Sequence, residues 1–186
     1  MRDLKDFTFI QENSLSDDTC DKIVNLFHTS PDLHVRYDDN LVSYTQLFLT
    51  KHRDRAPELH RELELASLQA IKTYKARTPE TSFWPEKYGF ESFRIKYYNS
   101  NNSDQFRPHV DSITLDSMKR FIAFFWYLTD VEDGGGETEF LNIDLKIKPK
   151  KGTLFMFPPN WLFPHKGNPT STKEKFLLSS YLHIIQ

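Results

Sequence analysis

A histidine and an aspartate two residues apart, His109 and Asp111, are the first candidates for chemistry in this sequence. They lie in the segment FRPHVDS, residues 106–112. Imidazole nitrogens and carboxylate oxygens are both metal ligands, so the pair could fill two positions around one ion. The spacing alone is weak evidence, because the segment KHRDR contains a second His-x-Asp at His52 and Asp54.

Local structure separates the first pair from similar ones. Residues i and i+2 of a strand point to the same face, whereas on a helix they lie about 200° apart. His109 and Asp111 lie in a strand-like segment. His52 lies in a charged run that leads into a predicted helix, and His60, in the sequence His-Arg-Glu, lies within that helix. We therefore interpret His109 and Asp111 as metal ligands and expect the other pairs to be solvated.

A metal site needs a third ligand, and the candidates include His28, His34, His165 and His183. His165 stands out because the segment NWLFPHKGNP sets it between a proline and a glycine, at a rigid strand edge. It follows His109 by 56 residues, a separation that fits a return across a β-sandwich. Two histidines and one carboxylate form the facial triad of non-haem Fe(II) oxygenases. The alternative is that His165 only packs or hydrogen-bonds at a strand end.

The last predicted strand, KFLLSSYLHII, has two unlike faces. Its even-numbered positions, beginning at Phe176, are mostly apolar and should pack on helices. Its odd-numbered positions, from Lys175 to His183, include hydroxyls and suit a polar cavity. A buried lysine is costly unless an anion meets it, so Lys175 suggests a dicarboxylate co-substrate. The alternative is that Lys175 is exposed at the strand start.

The segment RFIAFFWYLTD is apolar on both faces, which is typical of a central strand. Tyr127 shares one face with Phe121, Ala123 and Phe125. If that face lines the cavity, the phenol of Tyr127 is a hydrogen-bond donor in an apolar wall. Otherwise Tyr127 is one more structural aromatic in a chain that has 16 Phe.

The elements that must position these residues begin with two helices. The segment SLSDDTCDKIVNLFHTS predicts a helix with Ser16 as its N-cap and Cys20 among its buried positions. After the strand-like segment LVSYTQLFL, a second helix is predicted over APELHRELELASLQAIKTYKA. Its apolar positions are Leu63, Leu65, Leu68, Ile71 and Tyr74.

After residue 90 the pattern changes to short strands separated by turns. The predicted strands lie in ESFRIKYYN, FRPHVD, KRFIAFFWYLTD, ETEFLN, DLKIKP, GTLFMFP, FPHKG and KFLLSSYLHII. We predict an α+β fold, a double-stranded β-helix (jelly roll) core with N-terminal helices packed on one sheet. The chain is interpreted as a single domain over 1–186, with 1–90 as helical support and loops beside the site, and 91–186 as the jelly-roll core.

Composition limits the function classes. The net charge of −2 and the pI near 6.4 argue against nucleic acid or an anionic membrane as the main partner. No apolar run is long enough to span a membrane, and the N-terminal segment does not resemble a signal peptide. The single cysteine, Cys20, fits a reducing cytoplasm. The oligomeric state is left open.

The region from about 92 to 184 resembles the catalytic domain of prolyl 4-hydroxylases, within the 2-oxoglutarate- and Fe(II)-dependent dioxygenases. RPHVD resembles the strand of that family that carries His-x-Asp. YLTDVEDGGGETEF is similar to its tyrosine-containing strand and glycine-rich hairpin, and HKGNPTSTKEKFLLSSYLH to the segment between its distal histidine and its basic residue. SLSDDTCDKIVNLF resembles its first helix. Three departures are Lys173 in place of a glycine, one extra glycine, and a longer loop NSNNSDQF.

The resemblance implies a role for each matching residue. The implied Fe(II) ligands are His109, Asp111 and His165. The implied 2-oxoglutarate contacts are Lys175, Tyr127 and Tyr98. The implied substrate contact is Arg120, which lies seven residues before Tyr127. Trp161, which precedes His165 in the loop NWLFPH, is a further candidate for contact with the substrate.

The implied activity is hydroxylation of an unactivated C–H bond, by resemblance that of a peptidyl proline, with release of succinate and CO2. Its cofactors would be Fe(II), 2-oxoglutarate and O2, with ascorbate as an optional accessory reductant. Its partner would be a peptide or protein substrate. The alternative from another class is a non-catalytic jelly-roll module that binds a metal or a partner. Such a module would need no anion anchor at Lys175.

Overall fold

The computed structural model describes residues 2–132 and 134–185. Its α-helices are α1 (Asp17–His28) and α2 (Pro57–Arg77). Its strands are β1 (Phe9–Gln11), β2 (Val35–Asp38), β3 (Val42–Phe48), β4 (Tyr88–Phe90), β5 (Arg94–Tyr98), β6 (Gln105–His109), β7 (Arg120–Tyr127), β8 (Thr138–Phe140), β9 (Leu145–Ile147), β10 (Leu154–Phe157), β11 (His165–Gly167) and β12 (Lys175–Ile184).

Antiparallel pairing links these strands into one curled sheet. The order is β1-β10-β7-β12-β5-β3-β6-β11-β8-β9, with β2 paired to β3 and β4 to β12. Most neighbours in the sheet are distant in sequence, which is how a jelly roll closes. The predicted jelly-roll core with helices on one side is therefore confirmed.

Strand β12 has the two faces that its sequence predicts. Phe176, Leu178 and Leu182 belong to the apolar cluster that also contains residues of α1 and α2. Leu177 and Tyr181 belong to a second cluster, inside the curl of the sheet. Because alternate residues of a strand point to opposite faces, the odd positions of β12 from Lys175 to Tyr181 are carried toward this interior, before the pairing with β7 becomes irregular at His183.

Helix α1 begins as predicted. The hydroxyl oxygen of Ser16 accepts a hydrogen bond from the backbone N–H of Thr19 at 3.1 Å, which satisfies one of the free N–H groups of the first turn. Cys20 is fully buried, and burial raises the pKa of its thiol to about 11. Its predicted structural role is thus consistent with its surroundings, since the thiol stays protonated.

The predicted apolar face of α2 is only partly correct. Leu63, Ile71 and Tyr74 are buried, but Leu65 and Leu68 are 58% and 54% exposed. Positions 63, 67, 71 and 74 recur at intervals of three or four residues, which is one face of a helix. Two of the chosen leucines lie outside that stripe, so residue type misled the prediction where spacing would have corrected it.

Each strand predicted after residue 90 overlaps an observed strand. The pattern does not predict β1, β2 or β4, which have three or four residues and so show little alternation. Strand β3, from the first half of the chain, lies between β5 and β6 and so joins the part of the sheet that carries His109. Within the described residues, no helix is long and apolar enough to cross a membrane.

Candidate metal centre and adjoining cavity

His109 and His165 face each other across one pair of strands. The register of β6 and β11 sets the two residues directly opposite, with ring centroids 4.3 Å apart. The sequence predicted a strand that includes Asp111, but Asp111 lies just beyond the end of β6. Its carboxylate oxygens still lie 3.5 Å from Nε2 of His109 and 3.5 Å from Nε2 of His165. The pairing of β6 with β11 therefore brings all three side chains together.

Both imidazoles are oriented by the backbone. Nδ1 of His109 donates to the carbonyl oxygen of Arg107 at 2.7 Å, and Nδ1 of His165 donates to that of Phe163 at 3.0 Å. A carbonyl oxygen only accepts, so each Nδ1 carries a proton, and Nε2 is the ring nitrogen left to bind a metal. Phe106 also stacks on His109, with ring centroids 3.5 Å apart. Nε2 of each ring lies on the side of Asp111.

Asp111 has one oxygen without a hydrogen bond. Its Oδ1 accepts from the hydroxyl of Tyr181 at 3.0 Å, but its buried Oδ2 has no hydrogen-bond partner in the described chain. Burial opposes ionisation of Asp111, yet His165 and His109 hold the pKa of its carboxyl well below the usual range. Burial lowers the pKa of His165 to about 4. At neutral pH the group is thus one carboxylate and a neutral imidazole at His165, the forms that bind a metal.

These three donors fit a divalent metal ion of the iron type. Their ligand atoms lie within 4.8 Å of one another, and in residues 2–132 and 134–185 no other group of three His, Cys, Asp or Glu side chains does so. A carboxylate oxygen that is buried and unsatisfied is explained by a ligand that completes it. Two imidazoles and one carboxylate are the donor set of non-haem Fe(II) centres.

The similar sequence pairs form no such group. His52 lies at a kink within the short 3-10 segment Leu49–Arg55 and is only partly buried. His60 was expected to be solvated, and this was wrong, since it is only 6% exposed. Its Nε2 is hydrogen-bonded to Thr50 Oγ1 at 3.0 Å, and its Nδ1 lies 3.2 Å from a carboxylate oxygen of Glu64. His60 is a structural histidine because it lies on the buried face of α2.

Lys175, at the start of β12, is buried rather than exposed. Its Nζ donates to the carbonyl oxygens of Gly136 and Asn168, each at 3.1 Å, and lies 4.1 Å from the ring centroid of Tyr98. These partners hold the ammonium group but carry no negative charge. Burial lowers the pKa of Lys175 to about 7. A buried anion would therefore be stabilised here.

The glycine run builds one wall around Lys175. Gly135 has a φ of +96°, and a Cβ at that position would lie 2.3 Å from the carbonyl oxygen of Pro169. Only glycine fits so close to another backbone with a positive φ. The N–H of Gly136 donates to the same Pro169 oxygen at 2.8 Å, which leaves the Gly136 carbonyl to accept from Lys175.

A cavity lies beside the three metal-site side chains and extends to the ring of Tyr98, which is in contact with Lys175. We call it the inner cavity; its lining includes His109, Asp111, His165, Tyr98, Thr138 and Lys96. An outer cleft adjoins it, with a volume of about 260 Å³ and a lining that includes Tyr44, Arg94, Lys96, Asp111, Arg120 and Tyr181. We call the region of Lys175 and the inner cavity the inner end of the site, and the outer cleft its outer end.

Comparison with known proteins identifies the chemistry of this site. The family model described as the 2OG-Fe(II) oxygenase superfamily matches residues 93–183. This segment is a 2OG-Fe(II) oxygenase domain. The protein is accordingly a dioxygenase that uses Fe(II), 2-oxoglutarate and O2, as the resemblance in its motifs implied. No curated protein matches its sequence significantly.

Solved structures share the fold of this oxygenase over nearly the whole chain. A viral collagen prolyl hydroxylase from Paramecium Bursaria Chlorella virus-1, in a complex with 2OG, has a TM-score of 0.75 at 22% identity, covering 96% of this chain and 97% of that one. A Pseudomonas putida prolyl-4-hydroxylase has a TM-score of 0.73 at 15% identity, covering 97% and 94%. A Trichoplax adhaerens prolyl hydroxylase, in complex with a hypoxia inducible factor peptide fragment, has a TM-score of 0.75 at 15% identity, covering 96% and 84%. The likeness extends to the first 90 residues, beyond the matched segment.

Two tyrosines of the oxygenase were predicted to contact 2-oxoglutarate. Tyr98 lines the inner cavity beside Lys175. The hydroxyl of Tyr127 is hydrogen-bonded to Thr138 Oγ1 at 2.7 Å and donates to the carbonyl oxygen of Ile147 at 3.0 Å. It also accepts from the N–H of Thr138. Tyr127 thus fixes Thr138, which lines the cavity, and its own contact with 2-oxoglutarate stays a prediction.

The two predicted substrate contacts, Arg120 and Trp161, differ in whether the side chain is already bound within the protein. Arg120 borders the outer cleft, but its guanidinium already donates to Glu91 at 2.7 and 2.9 Å and to the carbonyl oxygen of Asp111 at 3.0 Å. It therefore holds the backbone of Asp111. Trp161 is 76% exposed in the loop before His165. It is free to contact a substrate, although no cavity wall fixes it.

Sequence reasoning overlooked Lys96. This residue borders both the inner cavity and the outer cleft of the oxygenase. A signal for it was present in RIKYY of β5, where Ile95 belongs to the helix-side core and Tyr97 packs against it. Alternation then carries Lys96 to the face of Tyr98, which was already predicted to contact 2-oxoglutarate.

Proposed function

We propose that His109, Asp111 and His165 hold the Fe(II) ion of this dioxygenase. The observation that carries the proposal is the buried Oδ2 of Asp111, which has no hydrogen bond among the described residues and lies 3.5 Å from Nε2 of His165. When bound, the ion activates O2 together with 2-oxoglutarate for attack on a C–H bond. The protein fixes the imidazole tautomers through the carbonyls of Arg107 and Phe163. Tyr181 holds the other oxygen of Asp111.

Lys175 is the proposed partner of the far carboxylate of 2-oxoglutarate. Its support is a buried ammonium group whose hydrogen-bond partners are neutral carbonyls, next to the inner cavity. Tyr98, whose ring lies 4.1 Å from Nζ, and Tyr127 with Thr138 complete the proposed pocket. An ammonium group and a carboxylate in such a water-poor site attract strongly.

The proposed reaction is hydroxylation of a peptidyl proline, with release of succinate and CO2. It is supported by the names of the structures with this fold, which are prolyl hydroxylases, one of them in complex with a peptide fragment. A peptide substrate also fits the rim of the site. Four exposed apolar side chains lie in the loops that follow Asp111 and precede His165: Ile113, Leu115, Met118 and Trp161.

These two loops meet, since the N–H of Ser112 donates to the carbonyl oxygen of Pro159 at 3.1 Å. Together they form an apolar edge at the mouth of the site, the kind of surface that binds a partner. Arg120 is proposed to position this edge through Asp111 and to face the substrate from the cleft. Nucleic acid remains an unfavourable substrate because the chain carries a net charge of −2.

The proposed catalytic unit is a single domain. Residues 91–186 supply the jelly-roll core with the site, and 1–90 supply helical support and strand β3 beside β6. A reducing, cytoplasmic setting is part of the proposal, since the one cysteine, Cys20, is buried and unpaired. Ascorbate is proposed only as an accessory reductant.

The test is succinate release from 2-oxoglutarate in the presence of Fe(II), together with a titration of the ion. His165→Ala or His109→Ala should abolish turnover and weaken Fe(II) binding, and Asp111→Ala should nearly do so. His52→Ala, the matched control from the other His-x-Asp, should behave like the unchanged protein. Equal damage from His52→Ala, or full activity of His165→Ala, would refute the ligand assignment. A peptide array scored for a mass gain of one oxygen atom tests the proline substrate.

A further inference from the structure

Lys96 is a buried lysine that the proposed function does not use. It lies in the middle of β5, opposite Leu177 of β12 and Gln46 of β3, and is 4% exposed. Its Nζ lies 5.2 Å from the ring centroid of Tyr44 and 5.3 Å from that of Phe106. Within the described part of the chain it has no hydrogen bond and no ion-pair partner. It is an ammonium group directed at the junction of the inner cavity and the outer cleft.

The surroundings of Lys96 do not compensate its charge. Aromatic faces attract a cation, but more weakly than a carboxylate does. Burial lowers the pKa of Lys96 to about 8, and the negative charge that opposes this shift is that of Asp111. That carboxylate is the proposed metal ligand, so its charge is shared with the ion.

The outer cleft has an excess of positive charge. Glu91 accepts from Arg94 at 2.6 Å and from Arg120 at 2.7 and 2.9 Å. One carboxylate therefore serves two guanidinium groups, and Lys96 adds a third cation without a partner. An anionic group in the cleft would meet a surplus of positive charge with few competing carboxylates.

We propose that Lys96 binds a carboxylate of the substrate, so that this oxygenase prefers proline substrates with an acidic group close to the reacting carbon. The inference rests on the proposed function and names its substrate class. The Lys96 ammonium group has no hydrogen-bond acceptor within the described residues. The substrate carboxylate would supply one through a charge-assisted hydrogen bond. Since Lys96 reaches both cavities, the bond would also fix the distance of the substrate from the metal site.

The carboxylate could come from an acidic side chain next to proline, from the C-terminus of a peptide, or from free proline. These sources are separated by binding to the protein loaded with Fe(II) and 2-oxoglutarate without oxygen. The probes are two otherwise identical peptides containing Asp-Pro or Asn-Pro, a peptide ending in proline as acid or as amide, and free proline. We expect at least one acidic probe to bind about tenfold or more tightly than its neutral counterpart.

Substitution assigns the preference to Lys96. Lys96→Met, which keeps a long unbranched side chain but removes the charge, should bind the acidic and neutral probes with equal affinity. Lys72→Met removes the same charge from the exposed face of α2 and should keep the preference. A melting curve and 2-oxoglutarate binding show that Lys96→Met is folded, and the comparison of probes on the unchanged protein needs no variant.

Two outcomes overturn the proposal. The first is equal binding of acidic and neutral probes, or no binding of any acidic probe, by the unchanged protein. The second is a preference that survives Lys96→Met. If Fe(II) binding by that variant is also weaker, Lys96 is only a counter-charge of Asp111. Succinate release without peptide is independent of these results, so failure of the proposed function is recognised separately.

Discussion

The two ends of the site each contain a buried lysine, but the two lysines differ in their hydrogen-bond partners. At the inner end, two backbone carbonyls and the ring of Tyr98 hold Lys175 in one position. At the outer end, Nζ of Lys96 lies near aromatic rings and has no hydrogen bond within the described residues. A fixed ammonium group suits one invariant ligand, whereas an unpaired one suits ligands that vary. The difference suggests that the co-substrate and the substrate are recognised at opposite ends.

The largest effect should come from removing the inner lysine. Losing one partner of a buried ion pair costs roughly 2–5 kcal/mol. Lys175→Ala should therefore raise the 2-oxoglutarate concentration needed for half-maximal succinate release by about tenfold or more, since about 1.4 kcal/mol is a factor of ten. Fe(II) binding should survive, because Lys175 is not among the proposed ligands.

Lys173→Ala is the matched control for that measurement. Lys173 lies two residues earlier in the loop, is exposed, and should be close to neutral. Equal losses in the two variants would indicate a diffuse basic patch and erase the contrast between the two ends. No loss in Lys175→Ala would move the anion anchor elsewhere, with Lys96 as the next candidate.

A smaller effect should appear in the pH dependence of 2-oxoglutarate binding. Burial lowers the pKa of Lys175 to about 7, so the free protein loses the ammonium charge as pH rises through that value. The dianion then meets a neutral amine, and its dissociation constant should rise by about tenfold between pH 6 and pH 8. The measurement is a 2-oxoglutarate titration at saturating Fe(II).

Lys175→Arg sharpens the same experiment. A guanidinium group stays charged over this range, so the rise in the dissociation constant should disappear. All other titratable groups are the same in the two proteins, so the difference reports on position 175. An unchanged pH profile in Lys175→Arg would show that some group other than Lys175 is responsible.

The smallest effect should come from the rim. Trp161→Ala removes an exposed indole from the loop before His165 and should raise the KM for a proline peptide about fivefold, the loss of about 1 kcal/mol. The requirement for 2-oxoglutarate should stay the same, since Trp161 does not line the inner cavity. Phe83→Ala, a similarly exposed aromatic outside these loops, is the control. A change in the 2-oxoglutarate requirement would mean that the two ends are not separate.

The sequence predicts the inner end of the site far better than the outer end. The alternation of β12 places Lys175 correctly, and the strand argument selects His109 and Asp111 over His52 and Asp54. Lys175 and His109 lie in regular strands, where the direction of a side chain follows from its position. Asp111 lies just beyond β6, so alternation alone does not set the direction of its side chain. The pairing of His165 with His109 needed the register of two strands distant in sequence, which a local pattern does not contain.

What the sequence does not predict depends on tertiary contacts. His60 can be buried because both nitrogens of its ring have partners, Thr50 and Glu64. The sequence pattern of α2 does not predict these contacts. Arg120 carries a charge that suggests a substrate contact, yet Glu91 occupies most of its donors. Whether a charged side chain is free or already paired is decided by distant residues, so the character of the outer cleft emerges only from the fold.

His109 and His165 lie opposite each other on β6 and β11, so binding of an ion to both would stabilise the folded protein. An ion held by both would join segments 56 residues apart, closing a loop without a covalent bond as a disulfide does. Unfolding must then release the ion, so the free energy of unfolding rises with its free concentration and falls when a chelator removes it. A slip of β11 against β6 by one residue would turn one imidazole to the opposite face. Such an ion would therefore select the correct register of this sheet.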